Sequence, residues 1–175
     1  MQNGQINLSD VFYQEGYSIP NYQRDYAWEK KNFTELWGDL SEAMNFKDGQ
    51  GHFIGTIVVS KNEEDNKIYD IIDGQQRITT IFMLLYILAS KQSAEEKQAT
   101  KIKFLTRKGG KLKFEVAPQN QEFFRMILDE AEKGVLSLRI REQYADTEGK
   151  KNLFNVLKEI LDTVSKLSTE EVDNF

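Results

Sequence analysis

The sequence predicts an α+β fold, a small mixed sheet packed with helices and followed by a mainly helical C-terminal part, on three observations. Ile68-Tyr69-Asp70-Ile71-Ile72 is β-branched and aromatic between polar turn residues, the pattern of a strand. Directly beyond it, Ile78 to Ala89 carries no charge, and Ile78, Ile81, Phe82, Leu85, Leu88 and Ala89 recur at helical spacing. The last third repeats the helical period, once through Phe123, Phe124, Ile127, Leu128 and Ala131 and again through Phe154, Leu157, Ile160, Leu161 and Val164.

Composition bounds what this fold can do. With 175 residues and 39 % hydrophobic content, the chain can bury a real core. Its longest uncharged apolar run falls well short of the roughly 18 residues that span a bilayer, and the start Met1-Gln2-Asn3-Gly4 lacks the apolar centre of a signal peptide. The absence of cysteine excludes disulfides, thiol catalysis and thiolate metal sites, and fits a reducing cytoplasm. A single histidine, His52, cannot build a histidine-rich metal centre, and a net charge of −5 argues against nonspecific coating of DNA while leaving room for a local basic patch.

Taken in order, Ser9 caps a short helix that runs through Gln14 and stops at Gly16, and Tyr17-Ser18-Ile19 is extended up to Pro20. The next ten residues, Ile19 to Trp28, are unusually aromatic and follow neither period. Either the loop tucks Tyr22, Tyr26 and Trp28 into the edge of the core, or Arg24 is a phosphate or carboxylate ligand beside an aromatic wall. A helix from Glu29 to about Asn45 sets Phe33, Leu36, Trp37, Leu40 and Met44 on one face. The loop Lys47 to Gly51 leads into a strand over His52 to Ser60, with Gly55 where a backbone or ligand can approach. That strand pairs with the one before Asp73 through the short connection Lys61 to Asn66. His52 can be a hydrogen-bonded structural residue or a catalytic one. Gln92 to Thr100 extends or links helices.

Lys101 to Val116 then reads as a β-hairpin around Gly109-Gly110, with Ile102, Phe104, Leu112 and Phe114 on one face. Lys101, Lys103, Lys111 and Lys113 lie on the other, and Arg107 and Lys108 complete a basic stripe. The stripe is either a solvated face or a contact for nucleic-acid phosphates. Asn120 caps a helix that Gly134 stops, and Lys151 to Leu167 forms the second helix. Val135 to Gly149 is ambiguous, with strand character around Leu136 to Ile140. Ser168-Thr169-Glu170-Glu171 opens another capped helix just before Phe175, so the sequence reads as truncated. The division expected is residues 1–100 as one domain and 101–175 as a basic hairpin with a helical extension.

The stretch Asp73-Gly74-Gln75-Gln76-Arg77 joins the strand to the apolar helix. Asp73 is the natural N-cap, Gln76 can close a capping box, and Gly74 lets the backbone come close to a ligand. Arg77 places a cation at the positive end of the helix dipole, which an anion bound there would turn to advantage. Capping and an ordinary ion pair for Arg77 explain the same residues without a ligand. No Walker A loop, Gly-x-Ser-x-Gly elbow, cysteine-histidine metal spacing or Gly-x-Gly-x-x-Gly sequence is present. What remains are groups that position a polyphosphate: arginines, glutamines, helix N–H groups and a few carboxylates.

Three ordered motifs carry a resemblance. Ile19-Pro20-Asn21-Tyr22-Gln23-Arg24-Asp25-Tyr26-Ala27-Trp28, Phe53-x-Gly55-x-Ile57, and Asp73 to Arg77 followed by Ile78-Thr79-Thr80 together resemble the GmrSD-type restriction-endonuclease N-terminal family, whose fold is ParB/sulfiredoxin-like. The resemblance implies an NTP-binding regulatory domain of a modification-dependent restriction system that attacks phage DNA. Its nuclease would be a separate domain or subunit, since one histidine cannot supply an HNH pair. The ligand would be ATP or GTP in a site of Tyr22, Gln23, Arg24, Gly55, Asp73, Gly74, Gln75, Gln76 and Arg77. Hydrolysis would draw on Asp73, Gln76 and Arg77, with Mg²⁺ held by Asp73 if that carboxylate does not cap. The competing expectation is a non-catalytic DNA-binding or scaffold module that uses Lys101, Lys103, Arg107, Lys108, Lys111 and Lys113.

Overall fold

The β-branched run after Ile68 forms a strand, β3 (Tyr69–Asp73), near the middle of a four-stranded sheet. The fold comes from a computed structural model that describes residues 4–13, 16–45 and 53–173. The expectations for Gln14, for the 47–51 loop and for His52 lie outside the described residues. Strand order is β2 (Val58–Lys61), β3, β1 (Tyr17–Ser18), β4 (Phe114–Glu115). β2 and β3 form the expected antiparallel hairpin, while β1 runs parallel to both β3 and β4, so the sheet is mixed. Tyr17 sits opposite both Tyr69 and Phe114, and the Tyr17 and Tyr69 rings lie 6.1 Å apart. β2 is shorter than its sequence suggests because Gly55, at φ 116, takes residues 53–57 out of the ladder.

The uncharged segment becomes α3 (Gln75–Lys91), in which Ile78, Ile81, Phe82, Met83, Leu84 and Ile87 are fully buried. It is apolar almost all round, as a helix enclosed on every side must be. α1 (Leu8–Tyr13) covers it from one end with Phe12, whose ring lies 6.1 Å from that of Phe82. α5 (Pro118–Glu132) and α7 (Glu148–Val164) pack against it, and α2 (Lys30–Asn45) lies on α7 through a face led by Phe33 and Leu36. Phe82 is the hub, with ring centroids of Phe114 at 5.2 Å and Phe124 at 6.3 Å. Full burial of each such side chain stabilises by about 1.5–3 kcal/mol.

Three elements differ from the sequence reading. Lys101 to Leu105 is a π-turn continuing α4 (Ala94–Thr100), not the first arm of a hairpin. Only an isolated bridge, Thr106 to Leu112, and β4 survive of the expected ribbon. α5 starts at Pro118 with Ala117 as N-cap, because proline at the first helical position is already set at helical φ and lacks the N–H a cap would serve. Asn120 therefore lies inside the first turn. The ambiguous 136–140 stretch is helical, in α6 (Leu138–Tyr144), started by Ser137, whose hydroxyl accepts from the Arg139 N–H. α8 (Thr169–Asp173) has the expected start, with Ser168 Oγ and Glu171 closing a capping box.

Residues on both sides of position 100 share one sheet and one core, since β4, α5 and α7 come from the C-terminal side. Glu132 ties α5 to α4 and the π-turn by pairing with Lys97 at 2.5 Å and Lys101 at 2.7 Å, and it accepts from the Tyr86 hydroxyl at 3.1 Å. Burial alone would raise the Glu132 carboxyl, but the lysine bonds prevail and hold it at about 2. Among the described residues, no helix is long and apolar enough to cross a membrane.

Candidate functional site

The site grows from the end of β3. Asp73 is still paired to Val58 in the ladder, so its side chain points outward and is exposed. The chain turns at Gly74, φ 90, where a Cβ would come within 3.1 Å of the Thr56 carbonyl; glycine is what lets the helix start here. Gly74, not Asp73, is the N-cap of α3, and no side chain caps it. The expected Asp73 cap and Gln76 capping box are thus both replaced. The first intrahelical bond is from Ile78 N to Gly74 O at 3.1 Å, which leaves the N–H groups of Gln75, Gln76 and Arg77 without a capping side chain.

Gln76 is buried and turned away from the cap to hold the Asp25 to Trp28 loop. Its Oε1 accepts from Ala27 N at 2.7 Å and Trp28 N at 3.3 Å, and its Nε2 donates to Asp25 O at 3.2 Å. Tyr26 is buried beside it and shares a 2.7 Å hydrogen bond with Thr80 Oγ1. Burial pushes the Tyr26 phenol far up despite the opposing bond to Thr80, so it stays neutral. On the other flank, Gln23 Nε2 donates to Ile72 O at 3.1 Å. Of the three aromatics expected at the core edge, Tyr26 enters the core, Trp28 is half-buried and Tyr22 is exposed, and Arg24 is exposed.

Between loop and junction lies an open cleft of about 500 Å³. It is lined from the loop by Gln23, Arg24 and Trp28, and from the junction by Ile72 and by Asp73 through Arg77. The Arg77 guanidinium lies over the Trp28 ring, 5.9 Å from its centroid, and against Gly55, where a Cβ would collide with it. Among the described residues, neither Arg24 nor Arg77 has a carboxylate at salt-bridge distance. Among the described residues the ordinary ion pair expected for Arg77 is therefore absent. Gln75 is 7 % exposed, lines the cleft, and its amide has no hydrogen-bond partner among the described residues. Tyr22 is 71 % exposed and stands outside the cleft lining.

Sequence reasoning gave no role to Asp25 or Gly149 and took Asn120 for a helix cap. The Asp25 carboxylate accepts from Asn120 Nδ2 of α5 and sits on Gly149 in the first turn of α7, where a Cβ would overlap it. Only the match of a small residue to an acidic one across the core marks this contact, and no local pattern reports it.

A family model described as GmrSD restriction endonuclease, N-terminal domain, matches residues 8–174. The chain belongs to this family. No curated protein matches the chain. The match runs through the helical C-terminal part as well as the motifs, in keeping with the shared core, and membership ties this GmrSD N-terminal domain to a restriction system.

In this GmrSD domain three cations of the expected stripe are engaged by acidic or backbone partners. Lys101 pairs with Glu132, and Arg107 pairs with Glu115 at 2.5 Å and Asp65 at 3.9 Å. Lys113 Nζ donates to the backbone carbonyl of Lys103 at 2.6 Å. Lys103, Lys108 and Lys111 are exposed, with Lys103 over the Phe104 ring at 4.8 Å. Ile102, expected on one face with Phe104, Leu112 and Phe114, is 62 % exposed while Leu112 and Phe114 are buried, because a π-turn does not alternate sides as a strand does. Among the described residues no group of three or more histidine, aspartate or glutamate side chains could hold a metal ion.

Proposed function

We propose that this domain binds a nucleoside triphosphate in the cleft at the start of α3 and is the nucleotide-responsive module of a restriction system directed at modified phage DNA. The nuclease activity belongs, in this reading, to another domain or subunit. The observation that carries it is the pair of guanidinium groups, Arg24 and Arg77, that have no carboxylate partner among the described residues and face one cleft beside a helix N-terminus that no side chain caps. Cations without an acidic partner and N–H groups without a capping side chain suit a polyphosphate. The cleft volume falls in the usual range for small-ligand sites, about 300–1,000 Å³.

Each group has a distinct part in this reading. Trp28 holds Arg77 in place by its ring face, and Gly55 makes room for the guanidinium. Gln75, whose amide has no partner among the described residues, is a better candidate than Gln76 to bond a phosphate oxygen or align water for hydrolysis. Gln76 serves by holding the loop. Asp73 is the acidic residue of the cleft lining and fits Mg²⁺ held by one carboxylate together with substrate phosphates, a mode that needs no protein cage. The ion would neutralise charge on the phosphates. Trp28 and the exposed edge of Ile72 offer an apolar wall for a base.

A thermal-shift screen with ATP and GTP, with and without Mg²⁺, tests the reading. Ligand at 100 times its dissociation constant adds about 2.7 kcal/mol of stability. No shift with either nucleotide would remove the proposal and favour a module that works through protein or DNA contacts alone.

A further inference from the structure

Arg24 gains its position from neighbours that are themselves fixed on both sides. Gln23 is bonded to the β3 backbone at Ile72 O, 3.1 Å away. Asp25 is held twice, its carbonyl by Gln76 of α3 and its carboxylate by Asn120 of α5 over Gly149 of α7. The Asp25 carboxylate thereby faces inward, toward the helices, although it belongs to the residue next to Arg24. An aspartate free at this position would be within reach of the adjacent guanidinium and would compete with any anion for it. Asn120 adds specificity to the arrangement: it is 3 % exposed, and it spends its Nδ2 on Asp25 at a point deep in the helical half of the fold.

We infer that Asp25 is a positioning residue for Arg24, which Asn120 and Gly149 hold inward so that the guanidinium is set, and left unpaired, for the phosphates of the nucleotide. The inference rests on the nucleotide-binding reading above. It makes α5 and α7 part of the nucleotide site without either helix touching the ligand. It also gives a reason for glycine in the first turn of α7, where a Cβ is excluded by the carboxylate and not by backbone strain.

The test is a mutant cycle on the full chain, with affinity for Mg·ATP and Mg·GTP measured by calorimetry and folding by thermal unfolding. Arg24→Ala is expected to weaken binding by about tenfold or more, the loss of one charged hydrogen bond. Asp25→Ala, which removes the acceptor for Asn120 Nδ2, should weaken it by about tenfold alone, and by less than about twofold in the Arg24→Ala background, because its effect passes through Arg24. A merely structural role would lower affinity by the same factor in both backgrounds, and that result would overturn the inference, as would unchanged affinity of Asp25→Ala. Should Asp25→Ala not fold, Gly149→Ala displaces the carboxylate without substituting any cleft residue, and the same coupling is expected. Unfolding of both variants would overturn the inference, since the contact would then belong to the fold alone. Failure of the wild-type chain to bind either nucleotide would remove the nucleotide reading itself, an outcome distinct from normal binding that responds to Arg24→Ala and not to Asp25→Ala.

Discussion

Two adjacent glutamines with similar burial are assigned opposite work, and replacing each in turn separates them. Gln76→Leu removes acceptors for Ala27 N and Trp28 N and a donor for Asp25 O. Net hydrogen bonds are worth about 0.5–1.5 kcal/mol each, and the 3.3 Å contact to Trp28 belongs at the lower end. Ala27 is exposed and its N–H can turn to water, whereas Asp25 and Trp28 are half-buried. With the leucine recovering some apolar burial, the expected loss is about 2 kcal/mol, or roughly 4–8 °C in Tm for a chain of this size. Gln75→Leu breaks no bond to the described residues and should stay within about 0.5 kcal/mol of wild type. Nucleotide affinity should fall in both variants, through loss of a ligand contact in Gln75→Leu and through a loosened Arg24 loop in Gln76→Leu. Urea and thermal unfolding measure the stabilities. Equal stability of the two variants, or a larger loss for Gln75→Leu, would refute the division of labour.

Three further outcomes are expected. Gly74→Ala must place a side chain at φ 90 and within 3.1 Å of Thr56 O, and should cost about 1–2 kcal/mol or more in chemical denaturation. Phe82→Ala opens the aromatic hub and should cost about 3–5 kcal/mol, read from the urea midpoint at unchanged m-value. Because the folded Glu132 carboxyl is depressed to about 2 from its ordinary 4.5, its contribution is fully present above pH 4.5 and is lost as pH falls through 2. Glu132→Gln should abolish that part of the acid dependence, about 1–2 kcal/mol after solvent screening, and a wild-type-like acid profile in the variant would contradict it.

The sequence made the β3-to-α3 junction legible because its signals were local and agreed: a β-branched strand, a glycine, then a dozen uncharged residues at helical period. Arg24 and Arg77 could be chosen as candidates from residue type and motif alone. The meaning of Gln76 could not, since a glutamine at the third helical position fits a capping box as well as a clamp on a loop fifty residues away. The basic hairpin misled for a similar reason. Alternating lysine and apolar residues from Lys101 to Phe104 satisfy a two-residue period, but Glu132, thirty-one residues later, draws Lys101 into the end of a helix, and the Thr106 N–H closes the π-turn on Lys101 O at 2.7 Å. Asn120 was read as a cap because its type favours caps, while Pro118 started the helix earlier. For Gln76 and Lys101 a tertiary partner outweighed a local preference, and such partners are not written in any one segment.

The central claim is that Arg24 and Arg77 bind the phosphates of a nucleotide at the start of α3. Calorimetric titration of ATP and GTP into wild type, Arg24→Ala and Arg77→Ala tests it most directly. Each substitution should weaken binding by about 1.5–3 kcal/mol, roughly 10- to 150-fold, with the unfolding transition retained. Unchanged affinity in both variants would contradict the assignment of the site.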